Sequence, residues 1–222
     1  MHIHRTTSQD VWNRVKVARR VLRGKTQSPL PERGFSRHKT QTRARAYFAK
    51  MKGAPASDRE IFPVEVFWSF VGSLLGMLLL SWCNTQVFGR TDNLLLMGTF
   101  GASAMLLFGA PQVPFSQPRN VAGGHMISAV VGITAYMLFG DASHLGPALA
   151  VAGAIAAMHV TGTLHPPGGG TALLMATGDP SLIQYGFFAV LYPVATGAVI
   201  LLIVALIVNN LARDRRYPAS WW

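Results

Sequence analysis

Apolar residues in this chain come in long runs rather than in alternation with polar ones. From Val66 to Val87 no charged side chain intervenes between Glu65 and Arg90, and a run of that length suits a hydrocarbon core about 30 Å thick. Trp68 and Trp82 sit near its ends, as interfacial aromatics do. A shorter run covers Leu94 to Gly109, a third Val121 to Phe139, a fourth about Leu145 to Thr163, and a last one about Leu182 to Leu211. Between the fourth and the last lies Leu164-His165-Pro166-Pro167-Gly168-Gly169-Gly170-Thr171, followed by apolar residues up to Gly178-Asp179-Pro180. Two prolines and three glycines predict an extended or tightly turned entry into a short helix. The free N–H groups of that helix's first turn would attract an anion. The fold class expected is all-α: a polytopic helical membrane protein of two three-segment repeats, each with a short or broken middle helix. It makes six crossings, or four plus two re-entrant segments.

Charge sharpens the picture. Residues 1–60 hold fifteen Lys or Arg and four Asp or Glu, whereas Arg90, Arg119 and Arg213 are the only basic residues from Ile61 to Arg213. This divides the chain into a basic, largely disordered tail (1–60), a transmembrane domain (61–213) and a basic, aromatic C-terminal tail (214–222). Val11 to Leu22 is compatible with a short basic amphipathic helix, and the acid-poor start also fits an organelle transit peptide. The net charge of +11 comes with no zinc, helix-turn-helix or RNA-binding signature, so nucleic acid is not an expected partner. Lone Cys83 excludes an internal disulfide and a cysteine metal cluster. Basic residues at both ends place both termini in the cytoplasm and require an even number of crossings. Arg119 then falls inside, and Arg90, Asp92, Asp141 and Asp179 fall outside.

Small residues mark helix contacts. Gly72 and Gly76 form a GxxxG pair, Gly124, Ser128 and Gly132 recur every four residues, and Ala148, Ala152 and Ala156 do the same. The segment Gly101-Ala102-Ser103-Ala104 up to Gly109-Ala110-Pro111 resembles Gly169-Gly170-Thr171-Ala172 up to Gly178-Asp179-Pro180, with a one-residue gap. Broken segments in corresponding halves point to a transporter's central site.

The run LHPPGGGTALL, with SQPRNVAGGH, GASAMLLFG and WSFVGSLLG upstream, and a Tyr-Pro followed by terminal tryptophans, resembles the HPP family of integral membrane proteins over roughly residues 47–222. The resemblance implies four membrane spans and a transporter, and plastid and cyanobacterial relatives imply nitrite as substrate. Where Gly170 stands, the family motif often has alanine. The expected function is therefore a membrane transporter or channel for a small inorganic anion, not an enzyme, with no cofactor or metal. Its partners are nitrite, the lipid bilayer and, as an open alternative, further copies of itself. A bacterial inner membrane is the expected location, with a plastid envelope as the alternative.

The candidate site follows from what a small planar anion needs, namely donors that replace its water shell without holding it tightly. Backbone N–H groups at Gly101 to Ser103 and at Gly168, Gly169, Gly170 and Thr171 are candidates, with the Ser103 and Thr171 hydroxyls beside them; a bond back to a helix carbonyl is the equal alternative for each hydroxyl. Arg119 is placed to attract the anion at the cytoplasmic mouth, or to set topology as an interfacial arginine. Asn120 suits the N-cap of the third helix. His125, His159 and His165 are intramembrane ionisable groups suited to a proton-coupled route. A metalloenzyme built on the same three histidines is the alternative class, and a structural or sensory module with a basic docking tail a third. Helix packing is the commoner role for His159, and His144 is expected to be solvated.

Overall fold

The computed structural model describes residues 51, 62–89, 93–140 and 144–222, and all of these but Met51 fall in the unit Arg59–Trp222. The expectations placed on residues 1–50 and on Arg90, Asp92 and Asp141 lie outside the described residues. Among the described residues the structure is helical throughout and contains no strand. The helices are α1 (Pro63–Trp82), α2 (Gly98–Gly109), α3 (Pro118–Phe139), α4 (Leu145–Thr161), α5 (Pro166–Ala176), α6 (Pro180–Ile183) and α7 (Thr196–Leu211). Among the described residues three helical stretches are long and apolar enough to cross a membrane: Pro63–Val87, Pro118–Phe139 and Gly186–Leu211. At 1.5 Å per residue α2 and α5 are only about 18 and 16 Å long.

Helices α1, α2 and α7 form one packed group. Gly72 and Gly76 of the GxxxG pair cradle the ring of Phe108, and a Cβ on Gly76 would meet Leu201 at 3.1 Å and that ring at 3.2 Å. Phe100 fills the space left by Gly197, and Asn209 Nδ2 donates to the Leu107 carbonyl at 3.0 Å. These two contacts make α2 and α7 parallel. Phe100, Phe108, Leu80 and Leu201 are fully buried. In lipid such close fit, rather than water exclusion, supplies the association energy.

Helices α3, α4 and α5 form the second group, built on the four-residue stripe. A Cβ on Gly168 would stand 2.8 Å from Ser128 Oγ and 3.0 Å from the Gly124 carbonyl. Gly132 faces Ala172 and Met175. Pairing Ser128 with Gly168 and Gly132 with Ala172 makes α3 and α5 parallel, so α4 is the return between them. Helix α5 crosses α2 in the opposite sense, because His165 meets Ser103 whereas Gly170 lies against Thr99.

Several boundaries differ from the pattern. Helix α5 starts at the first proline, not after the glycines, since proline without an N–H fits the first helical turn. The expected final run is interrupted: Tyr192 is non-helical inside Leu191–Ala195, and continuous helix resumes at Thr196. Gln117, not Asn120, occupies the N-cap position of α3; Asn120 lies within the first turn and donates from Nδ2 to the Leu164 carbonyl at 2.9 Å.

Beyond α7 the chain folds back under the bundle. Arg215 is buried, and its guanidinium donates to Glu65 Oε2 at 2.9 Å from Nε, to the Phe108 carbonyl at 2.9 Å, to Asn209 Oδ1 at 3.1 Å and to Ser69 Oγ at 3.0 Å. Tyr217 Oη donates to the Ser116 carbonyl at 2.6 Å, and Gln117 Oε1 accepts from the backbone N–H of Ala219 at 2.8 Å.

Candidate functional site

Where α2, α3 and α5 meet, four polar side chains are fully buried: Ser103, His125, His165 and Thr171. They bond in line. His125 Nδ1 lies 2.8 Å from Thr171 Oγ1 and its Nε2 lies 2.8 Å from Ser103 Oγ. Ser103 Oγ is also 2.9 Å from His165 Nε2, and His165 Nδ1 is 2.7 Å from the Phe115 carbonyl. The two imidazole centroids are 4.9 Å apart, and Phe100 closes the far side of His125 at 5.2 Å.

Donor and acceptor chemistry fixes the hydrogens of the neutral chain. A carbonyl only accepts, so His165 Nδ1 carries a hydrogen and Nε2 is left as an acceptor. Among the described residues its only donor is the Ser103 hydroxyl. With that hydrogen used, Ser103 Oγ accepts from His125 Nε2–H, and His125 Nδ1 then accepts from the Thr171 hydroxyl. Each buried group has a partner, which a low-dielectric interior demands. Ser103 Oγ is in addition 3.0 Å from the Thr99 carbonyl, one helical turn back.

The structure brings together Ser103, His125, His165 and Thr171 from the sequence-derived set, with Gly168 and Gly170 in the contacts that hold α5 in place. His159 is not among them: it is exposed on the last turn of α4, so the three-histidine metal site loses a ligand. Among the described residues no group of three or more His, Cys, Asp or Glu could hold a metal ion. Arg119 is exposed and donates from Nη2 to the Thr161 carbonyl at 2.7 Å, covering the C-terminal end of α4. Gly101 points outward from α2, with nothing within 4 Å of a Cβ built on it, and the same holds for Gly169 on α5.

The helix-end donors also differ from expectation. Pro166 and Pro167 have no N–H, and the Gly168 N–H is bonded to the His165 carbonyl at 2.8 Å. The first turn of α5 therefore offers no free backbone donor. Helix α2 begins at Gly98, which places Gly101 to Ser103 beyond its first three residues. What the spacing did not single out is Thr99. Its Oγ1 is buried with no hydrogen-bond partner among the described residues, and it lines a cleft of about 510 Å³ with Gly98, Ala102, Pro166, Pro167 and Gly170. Its place one turn before Ser103 was the signal available.

A polar line of this kind, buried between apolar helices around His165-Pro166-Pro167, invites comparison with membrane families. The family model "HPP, transmembrane region" matches residues 59–218. The chain belongs to the HPP family. This HPP protein is an integral membrane protein, and the matched region takes in all the helices described above. Two transmembrane proteins of Dictyostelium discoideum are 42% identical to it over 179 residues and 39% identical over 181. Each match covers 79% of this chain and 57% or 63% of the relative, so the chain spans about three fifths of the length of the curated relatives it matches. No solved structure matches it.

Proposed function

We propose that this HPP protein is a transporter or channel for a small inorganic anion, with nitrite the leading substrate by family resemblance, and that it is not an enzyme. The observation that carries the reading is the buried line Thr171-His125-Ser103-His165. Ionisable groups inside a membrane domain are costly to bury and usually mark a substrate or proton path. Thr99 Oγ1, buried without a partner beside that line, is a donor free to meet an anion that has shed water. The antiparallel crossing of α2 and α5, with Ser103 and Thr171 in equivalent places, supports an inverted repeat with its site at the crossing. Arg119 and His159, both exposed, serve at the mouth rather than in the site.

The setting proposed is a bacterial inner membrane, or a plastid envelope, with both termini on the cytoplasmic or stromal side. The test is uptake of nitrite into liposomes holding the purified full chain, against nitrate, formate and chloride. Protein-dependent uptake selective for nitrite is expected. No uptake of any of the four by folded, inserted protein would overturn the reading.

A further inference from the structure

The buried line has a second arrangement in which every group is again satisfied, and it differs from the first by one proton. If His165 carries hydrogens on both nitrogens, Nδ1 still donates to Phe115 and Nε2 now donates to Ser103 Oγ. Ser103 no longer has to donate to that ring, and the Thr99 carbonyl stands ready 3.0 Å away. Its oxygen then accepts from both imidazoles, within the two lone pairs a hydroxyl has. No such exchange exists at His125, because Thr171 has His125 as its only hydrogen-bond partner among the described residues. A hydrogen added to His125 Nδ1 would face the Thr171 hydrogen with no acceptor to turn to.

We propose that His165 Nε2 takes up one proton for each anion admitted, while the Ser103 hydroxyl turns from that nitrogen to the Thr99 carbonyl. The step forms one N–H bond and breaks one O–H bond of the hydronium ion that delivers the proton, leaving water and changing no oxidation state; the proton leaves by the reverse of the same step. The inference rests on the transport reading and adds its coupling.

The surroundings explain why the proton and the anion travel together. Helix α3 contributes His125 and, at its exposed start, Arg119, which is bonded to the Thr161 carbonyl. Helix α4 contributes the exposed His159 and, towards the site, Met158. Helices α2 and α5 and the Pro114–Ser116 turn bring only hydroxyls and carbonyls. Of the described acids, Glu65 is bonded to Arg215, Asp179 to Ser181, and Asp214 is exposed. No fixed negative charge therefore stands against His165 among the described residues. An imidazolium alone there would be a buried unpaired charge, and so would a bare anion. Admitted together they are neutral, which makes the transport electroneutral.

The experiment uses the full chain in liposomes with a trapped pH-sensitive dye and nitrite as the probe, under a clamped membrane potential. The wild type is expected to carry one proton per nitrite at a rate that changes less than twofold when the potential is reversed. In His165→Gln the ratio falls to zero, while His144→Gln, altered at an exposed residue, keeps the wild-type ratio. A flux-independent arm records imidazole ¹⁵N NMR of the labelled protein at constant pH. Adding nitrite should convert one histidine to the doubly protonated form, and that signal should be missing from His165→Gln. Nitrite flux without protons, a ratio of one surviving in His165→Gln, or no histidine signal responding to nitrite would overturn the inference. The first two outcomes leave anion transport standing; absence of all anion flux defeats the transport reading itself.

Discussion

Ser103 on α2 and Thr171 on α5 bind opposite nitrogens of one imidazole, His125, each at 2.8 Å. The two helices are joined through that ring as well as by packing. Thr171→Val keeps the shape and removes the donor, leaving His125 Nδ1 buried without its partner. A cost of about 1–3 kcal/mol is expected, read as a lower unfolding temperature in detergent and a smaller nitrite flux in liposomes. An unchanged melting temperature would mean that the ring takes another partner.

The three consecutive glycines are not equivalent. An alanine at Gly168 would press its Cβ against Ser128 Oγ at 2.8 Å and the Gly124 carbonyl at 3.0 Å, whereas one at Gly169 would meet nothing within 4 Å. Gly168→Ala should therefore destabilise by about 1–3 kcal/mol. Gly169→Ala should be neutral or gain up to about 1 kcal/mol from helix propensity. Thermal unfolding of the two variants side by side checks the order, and a greater loss at Gly169 would contradict the α3–α5 packing.

Arg215 supplies donors to Glu65, Ser69, Asn209 and the Phe108 carbonyl at once. Arg215→Ala strips the charged donor from all four and leaves the buried Asn209 Oδ1 without it, while the Phe108 carbonyl keeps the Ser69 hydroxyl at 2.8 Å; a loss of about 2–3 kcal/mol is expected, within the range for bonds to a charged group. Arg215→Lys should recover only part of it, because a point charge cannot reproduce the planar fork. Glu65→Gln should cost less than either, since the Glu65 side chain is 46% exposed and water screens its charge. Equal losses in all three variants would refute this ranking.

Burial pushes the Tyr217 phenol above its ordinary value, and its hydroxyl donates to Ser116. The folded protein thus holds this proton more tightly than the unfolded chain does. The contribution is complete below the unfolded phenol value of about 10 and falls as pH climbs beyond it. Unfolding temperature measured from pH 8 to 11 should fall more steeply above pH 10 in the wild type than in Tyr217→Phe. Parallel curves would show that the phenol is not the group responsible.

Much of this bundle is written in its small residues. Gly124, Ser128 and Gly132 recur at the helical period, and the structure lays α5 along that stripe; Gly72 and Gly76 likewise make room for Phe108. Except for the last run, broken at Tyr192, the apolar runs gave helix positions to within a few residues because lipid leaves the backbone few alternatives. Ser103, His125, His165 and Thr171 could be picked singly as polar residues in apolar surroundings. Their convergence could not, since it depends on how α2, α3 and α5 cross. His159 was grouped with the other two histidines, with helix packing as its commoner role, but the rotation of α4 turns it outward, and rotation is set by packing partners rather than by local pattern. The helix-end donors were misplaced for a simpler reason: proline begins α5 before the glycines, so the turn expected to be free is already bonded.

The bond between Arg215 and Glu65 joins residues separated by 150 positions. During synthesis at about 5–20 residues per second, α1 waits roughly 8–30 s for that partner to emerge. Over that interval Glu65 lacks the guanidinium that later holds it, so α1 is among the last of the described helices to be locked. Final assembly of this HPP protein is thus timed by the delivery of residue 215.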